Sequence, residues 1–311
     1  MMRRMLFWTL LWPLFCAMFS LGAQAAPNCT YAADPKMAFG SLDILNYSSV
    51  ATSAQIKVTC TGLGAGEIAR VCLNFNGGYI NNGARSMKSG TRYLNYFVNA
   101  SAPPGFLSNT TFQGLVYIDV TQSAPSRNVQ LAGSILSGQA SRPVGYYTEN
   151  ITTDFYYGAY TGVSPIDCDV VKIGASSFSL LVDATITPNC SVVASPLTFP
   201  DVLFFTADVT GQSAVTVTCT TDAPYWVSLD NGQNAASGQR RMRAGAEYIA
   251  YDLYSDSARA LRWGATKDVD TVSGIGVYTG KQHPVYGKIP KPAVTPLPGT
   301  YSDQIIATVN F

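Results

Sequence analysis

Along most of the chain apolar and polar residues alternate at a spacing of two, and no stretch sustains the three-to-four residue spacing of a helix. Ile56, Val58 and Cys60 alternate with Lys57 and Thr59, and Val215, Val217 and Cys219 with Thr216 and Thr218. Phe178, Leu180, Val182, Ala184 and Ile186 form a longer alternating set, and Ile305, Ala307, Val309 and Phe311 another. In a strand this period sends one set of side chains to a core and the other to the opposite face. The segments are short, rich in Val, Ile, Tyr and Thr, and divided by turn formers such as Asn231-Gly232 and Pro298-Gly299. The pattern predicts an all-β chain.

The same succession occurs twice. Pro27-Asn28-Cys29 returns as Pro188-Asn189-Cys190, and Val58-Thr59-Cys60-Thr61 as Val217-Thr218-Cys219-Thr220. Asn76-Gly77 matches Asn231-Gly232, and Met87, Gly90, Tyr93 and Tyr96 match Met242, Gly245, Tyr248 and Tyr251. Gly145, Tyr147 and Ile151 match Gly299, Tyr301 and Ile305, so Phe155 and Tyr157 fall where Val309 and Phe311 stand. A duplicated domain follows, each copy expected as an antiparallel, immunoglobulin-like β-sandwich.

The first residues read differently. Arg3 and Arg4 precede an apolar run from Met5 to Leu21 and then Ala23-Gln24-Ala25, the order of a secretory signal peptide cut after Ala25. A membrane anchor is the alternative, but the run is short for one and contains Pro13. The expected organisation is a signal peptide at 1–25, an N-terminal domain at 26–165, a linker with an internal strand at 166–187, and a C-terminal domain at 188–311. Cleavage takes two of the 20 basic residues and none of the 19 acidic ones, leaving 18 against 19. So balanced a charge directs the mature chain neither to nucleic acid nor into a membrane.

Six cysteines remain after processing: Cys29, Cys60, Cys72, Cys168, Cys190 and Cys219. An even number in an exported chain implies disulfides. Cys29 with Cys60 and Cys190 with Cys219 recur in both copies, and Cys72 and Cys168, which have no counterparts, pair by elimination. Zinc is the alternative, yet no two cysteines have the close spacing of a metal knuckle and His283 is the single histidine. That one histidine, set before Pro284, leaves no obvious Ser-His-Asp or Cys-His arrangement, and six paired cysteines leave no free thiol. Asp252 and Asp256 remain as a conceivable carboxylate pair, although scattered surface acids are commoner. No enzyme, metal or cofactor is expected.

These residues resemble the spore coat U domain, the pilin domain of archaic chaperone-usher pili. The resemblance rests on Cys29 with Phe39 and Cys190 with Leu197-Thr198-Phe199, and on the repeated Val-Thr-Cys-Thr. It extends through Arg241 to Tyr251, Leu261-Arg262-Trp263-Gly264, Tyr286 to Pro290, and Pro298 to Asp303. The second copy matches well. The first lacks the Trp-Gly pair and the Tyr-Gly-x-Ile-Pro stretch.

The resemblance implies pilin-type domains, the second lacking its last strand, whose groove takes a strand from the next subunit. It implies as partners a periplasmic chaperone, an outer-membrane usher and a strand-donating subunit, and as location a pilus tip on the cell surface, with a role in attachment and biofilm formation. Ile305, Ala307, Val309 and Phe311 would form the edge of the acceptor groove. Only three residues separate the expected cleavage site from Cys29, too few for a strand to give away. Phe178, Leu180, Val182, Ala184 and Ile186 would be a donor strand completing the first domain within the chain; the alternative makes them the first strand of the second domain. A coat or envelope protein that does not polymerise is the alternative function.

If the first domain is the adhesin, its contacts belong in loops at the end away from the second domain. Phe106 and Leu107 in Ala102–Leu107, and Ile135 and Leu136 in Ser134–Ser137, sit beside turn formers without alternation. The alternative tucks Phe106 or Ile135 back into the sandwich. Tyr146, Tyr147, Phe155, Tyr156 and Tyr157 could stack on sugar, but their match to the closing strand of the second copy favours core and sheet surface. Arg240, Arg241 and Arg243 read as a solvated strand face.

Overall fold

A computed structural model describes residues 26–32, 35–76, 79–81, 84–101, 114–162, 166–168 and 173–311. The signal peptide expected at 1–25 and the candidate contacts Phe106 and Leu107 lie outside the described residues. Among the described residues the regular structure is strand alone.

The first repeat contains β1 (Asn28–Tyr31), β2 (Lys36–Leu42), β3 (Ser49–Thr61), β4 (Glu67–Asn76), β5 (Tyr79–Asn81), β6 (Ala84–Ser89), β7 (Arg92–Ser101), β8 (Gly114–Thr121), β9 (Ser126–Leu136) and β10 (Gly145–Thr161). After it comes β11 (Ile173–Ile186). The second repeat contains β12 (Cys190–Ala194), β13 (Val209–Cys219), β14 (Pro224–Leu229), β15 (Arg241–Ala244), β16 (Glu247–Ala250), β17 (Asp252–Tyr254), β18 (Val272–Ile275), β19 (Lys281–Ile289) and β20 (Ala307–Asn310).

In the first repeat the ladder β1-β3-β9-β7 faces β8-β4-β10-β11-β2, and β6 joins them by pairing with both β7 and β10. The alternation read from the sequence does the packing. Ala54, Ile56, Val58 and Cys60 of β3 enter the core while Gln55 and Lys57 face out. In the second repeat β12-β13-β19-β17 faces β18-β14-β20, with β15-β16 as a separate hairpin. Its core is built around Trp263, which is fully buried and donates its indole N–H to Val227 O at 2.9 Å. This is a tandem of two pilin-like β-sandwiches.

Disulfides join Cys29 to Cys60 and Cys190 to Cys219, in each repeat between residues directly opposite on neighbouring strands. Cys72 is bonded to Cys168, fixing the outer face of β4 to the segment that leaves the repeat. Closing loops of this kind stabilises by about 3 kcal/mol each.

Two sequence expectations need correction. Ser134–Ser137 is not an exposed loop: Ile135 and Leu136 end β9, and Ile135 is completely buried. Val129, Leu131 and Ile135 share the inward face, but the inward position between them is Gly133. A Cβ there would run into Met37 Sδ and the Phe39 ring, so the space is already filled from another strand and the apolar period is hidden at a glycine. Leu136 is exposed, yet it pairs with Ser49 at the end of the repeat facing the second repeat, not the far end. The second correction is Arg240, which is buried and not solvated. Its guanidinium reaches the carbonyls of Leu229, Asp230 and Trp263 and the carboxylate of Asp252 at 2.7 Å.

Candidate strand-acceptor site

β11 lies between two strands of the first repeat. It runs antiparallel to β10, from Gly145 opposite Ile186 to Phe155 opposite Ser176, and parallel to β2, from Leu181 opposite Lys36 to Ile186 opposite Leu42. Phe178, Leu180, Val182, Ala184 and Ile186 are all buried in the first repeat's core. The Phe178 ring sits 4.7 Å from that of Tyr31, which in turn lies 5.1 Å from Phe155. On the outward face Asp183 accepts from Lys36 Nζ at 2.7 Å and from Tyr146 Oη at 2.9 Å, and this pairing raises the Lys36 pKa.

The second repeat reproduces this arrangement up to the missing strand. β12-β13-β19-β17 stands for β1-β3-β9-β7, and β18-β14-β20 for β8-β4-β10. Nothing among the described residues stands for β11 beside β20, which ends its ladder at β14. Two further segments lose their regularity with it. β2 pairs only with β11, and its counterpart around Leu197–Phe199 is not a strand. Residues 145–150 of β10 are laddered mainly to β11, and their counterparts 299–304 hold only an isolated bridge between Arg243 and Ser302. Each irregular segment is one whose ladder partner would be the absent strand.

Both walls of the resulting groove are nonetheless held. On one side Leu197 and Phe199 lie across β13 and β19, where a Cβ on Gly211 or Gly287 would meet them at 3.0 Å and 2.8 Å respectively. Gly133 plays the same part under Met37 and Phe39 in the first repeat. On the other side Tyr251 Oη donates to Asp303 at 2.8 Å, Asn234 N to Asp303 at 3.2 Å, and Ile306 N to Asp230 at 2.9 Å. Burial and the neighbouring Asp303 push the Tyr251 pKa well up, so its hydroxyl keeps the proton it donates. In the first repeat Glu149 occupies the Asp303 position and accepts from Tyr96 Oη and from Arg85 at 3.3 Å. Sequence reading missed this carboxylate-tyrosine pair, although Tyr96 and Tyr251 stood in its own repeat.

Between the walls Leu197, Phe199, Met242, Tyr301, Ile305, Ala307 and Val309 are only partly buried. Their first-repeat counterparts Met37, Phe39, Met87, Tyr147, Ile151, Thr153 and Phe155 are all buried, at most 7% exposed. Phe311, the last of the expected edge residues, is 52% exposed. Such a groove, apolar and bounded by a free backbone edge, has the chemistry to accept an extended chain by main-chain hydrogen bonds and alternate apolar side chains.

The other candidates have structural occupations. Asp252 pairs with Arg240 and Arg262, and Asp256 accepts from the backbone N–H of Ala260 and Leu261. His283 is buried against Tyr225 Oη at 2.7 Å, and burial with nearby Lys281 lowers its pKa. Tyr147, Phe155, Tyr156 and Tyr157 are buried, while Tyr146 is exposed. Among the described residues no cluster of three His, Cys, Asp or Glu could hold a metal ion.

Known proteins agree with this architecture. The model of the Spore Coat Protein U domain matches residues 15–154 and again 176–308. Protein U of Myxococcus xanthus is 34% identical over 113 residues; the match takes in 33% of this chain and 62% of that protein, so less than two thirds of the relative is spanned. A solved chain of the CsuC-CsuE chaperone-tip adhesion subunit pre-assembly complex, from archaic chaperone-usher Csu pili of Acinetobacter baumannii, aligns with a TM-score of 0.52 at 18% identity, over 91% of this chain and 100% of that one. The CupB6 tip adhesin of Pseudomonas aeruginosa aligns at a TM-score of 0.42 and 11% identity, over 91% and 94%. With both repeats matched by one family model and the tandem sharing its fold with a pilus subunit complex, the chain belongs to the Spore Coat Protein U domain family.

Proposed function

We propose that the chain is a subunit of an archaic chaperone-usher pilus, built by strand complementation, and that it stands at the pilus tip with its first repeat as the adhesive domain. The observation that carries this reading is the unequal treatment of two like repeats: one has a strand seated between β10 and β2, and the other has the same walls and, among the described residues, no strand. On this reading β11 is a donor strand used inside the chain, and the second repeat takes its strand from the next subunit. A subunit whose inter-repeat strand is spent internally receives without giving at that junction, which suits a terminal position. The fold shared with a tip adhesion subunit supports the same place.

The implied partners are a periplasmic chaperone that protects the open groove, an outer-membrane usher, and the donating subunit. Attachment and biofilm formation would be the outcome at the cell surface. Phe106 and Leu107 remain the candidate contacts of the adhesive domain.

The test is export of the full chain to a periplasm with and without an archaic-type chaperone. A one-to-one complex that releases its chaperone when a peptide of residues 173–187 is added in excess supports the reading. A monomer that is stable alone and ignores both chaperone and peptide overturns it, in favour of a free-standing envelope protein.

A further inference from the structure

The junction between the two repeats is made by one end of the first. Leu42 O accepts from Thr187 N at 3.1 Å, Asp43 accepts from Asn189 Nδ2 at 2.7 Å, Val144 N donates to Thr221 O at 3.0 Å, and Arg92 pairs with Asp222. Because the repeats correspond, the far end of the second repeat carries the same four positions. Counted from Phe39 and Phe199, Leu42 and Asp43 become Val202 and Leu203; counted from the shared tyrosines, Arg92 becomes Glu247 and Val144 becomes Pro298. The last correspondence is visible in the structure, since Tyr147 Oη donates to Pro143 O and Tyr301 Oη to Leu297 O.

The chemistry at these positions is changed. Ile44 is 1% exposed but its counterpart Phe204 is 78%, and Leu203 beside it is 91% exposed. Leu297 is also exposed. Pro298 has no N–H to give where Val144 donates. Glu247 puts an acid where Arg92 puts a base, and it has no salt-bridge partner among the described residues. Exposed apolar residues gathered at one end mark a contact surface.

We propose that this end, formed by Leu203, Phe204, Leu297 and Glu247, docks the body of the subunit whose strand fills the second repeat. This rests on the strand-acceptor reading and adds the partner's chemistry. The partner is a β-sandwich bearing a basic residue opposite Glu247, where this chain's own junction has Asp222, and apolar side chains opposite Leu203 and Phe204, where it has Asn189. A further copy of this chain's second repeat would set Asp222 against Glu247, so the surface selects a different subunit and disfavours self-addition.

The test uses the chain itself as probe. Because Phe311 corresponds to Tyr157, residues 158–311, with Cys168→Ser, are added after Phe311 so that a second β11 can fill the groove and a second junction face can dock. Strand filling is read from the melting temperature of the middle repeat, and docking from alkylation of the thiol introduced by Leu203→Cys. With Asp222→Lys in the added segment, the middle repeat should melt about 1–4 °C higher at low salt than with Asp222 retained. Glu247→Lys in the middle repeat should cancel that gain, and the introduced thiol should be alkylated at least several-fold more slowly than in the unextended chain. A stabilised middle repeat with no response to either charge change and full alkylation overturns the docking proposal and leaves strand filling intact. An extension that stabilises nothing overturns both.

Discussion

The two repeats fold the same strands from similar sequences, and they differ most where one has a neighbour and the other has none. β10 is 17 residues long, whereas its counterpart β20 is four. Tyr147, Ile151 and Phe155 are sealed, and Tyr301, Ile305 and Val309 are only partly buried. The sequence of the edge strand does not account for the contrast, because both strands alternate. What changes is the partner: a backbone edge becomes a regular strand only when its N–H and C=O groups have a ladder to join. Five apolar side chains entering the first repeat from β11 contribute on the order of 7–15 kcal/mol before the cost of ordering them, an upper estimate.

The largest expected effect comes from spoiling that seat. Val182→Asp places a charge among fully buried apolar groups and should unfold the first repeat, a loss of more than about 4 kcal/mol, while the second repeat keeps its own transition in calorimetry. The matched change Val309→Asp should cost clearly less, because that side chain is only partly covered. Equal losses at the two sites would erase the distinction between a filled and an open groove.

Next come the glycines that receive the groove wall. Gly287→Ala would drive a Cβ to within 2.8 Å of the Phe199 ring and should cost about 1–3 kcal/mol by overpacking, read as a lowered melting temperature of the second repeat. Tyr251→Phe removes the hydroxyl that donates to Asp303 and should cost about 1–2 kcal/mol. Tyr96→Phe should cost more, since Glu149 is buried and Asp303 is not.

The smallest effect separates the repeats by pH. His283, in the second repeat, is the chain's single histidine, and its folded pKa lies below the ordinary value near 6.5. Below about pH 6.5 the unfolded repeat therefore binds the proton first, and stability falls as pH falls toward the folded pKa. Urea midpoints taken at pH 7.5 and 5.5 should drop for the second repeat more than for the first, and His283→Gln should remove the excess.

Much of this was legible in the residues. The duplication came from motifs that recur at a nearly constant offset, and the all-β class and the alternation of residues 178–186 from a period of two, which survives wherever one face is buried. The places that were not legible share a cause. Ile135 reads as a loop residue because Gly133 interrupts the apolar series, its space being occupied by Met37 from another strand. Arg240 reads as a surface residue because, beside Asp252, its partners are backbone carbonyls of Leu229, Asp230 and Trp263, which no side-chain pattern reveals. Long-range packing decided both.

Hydrogen exchange gives the most direct measurement of the open groove. The full chain is compared with one in which residues 177–187 are joined through a flexible linker after Phe311. In the parent, amides of residues 145–151 should be strongly protected and those of 299–305, outside the Ser302 bridge, weakly, and the added strand should bring 299–305 up to the level of its counterpart while raising the melting temperature of the second repeat. If 299–305 is already as protected as 145–151, or if the added strand leaves it unchanged, the second repeat is complete without a partner and the proposed function falls.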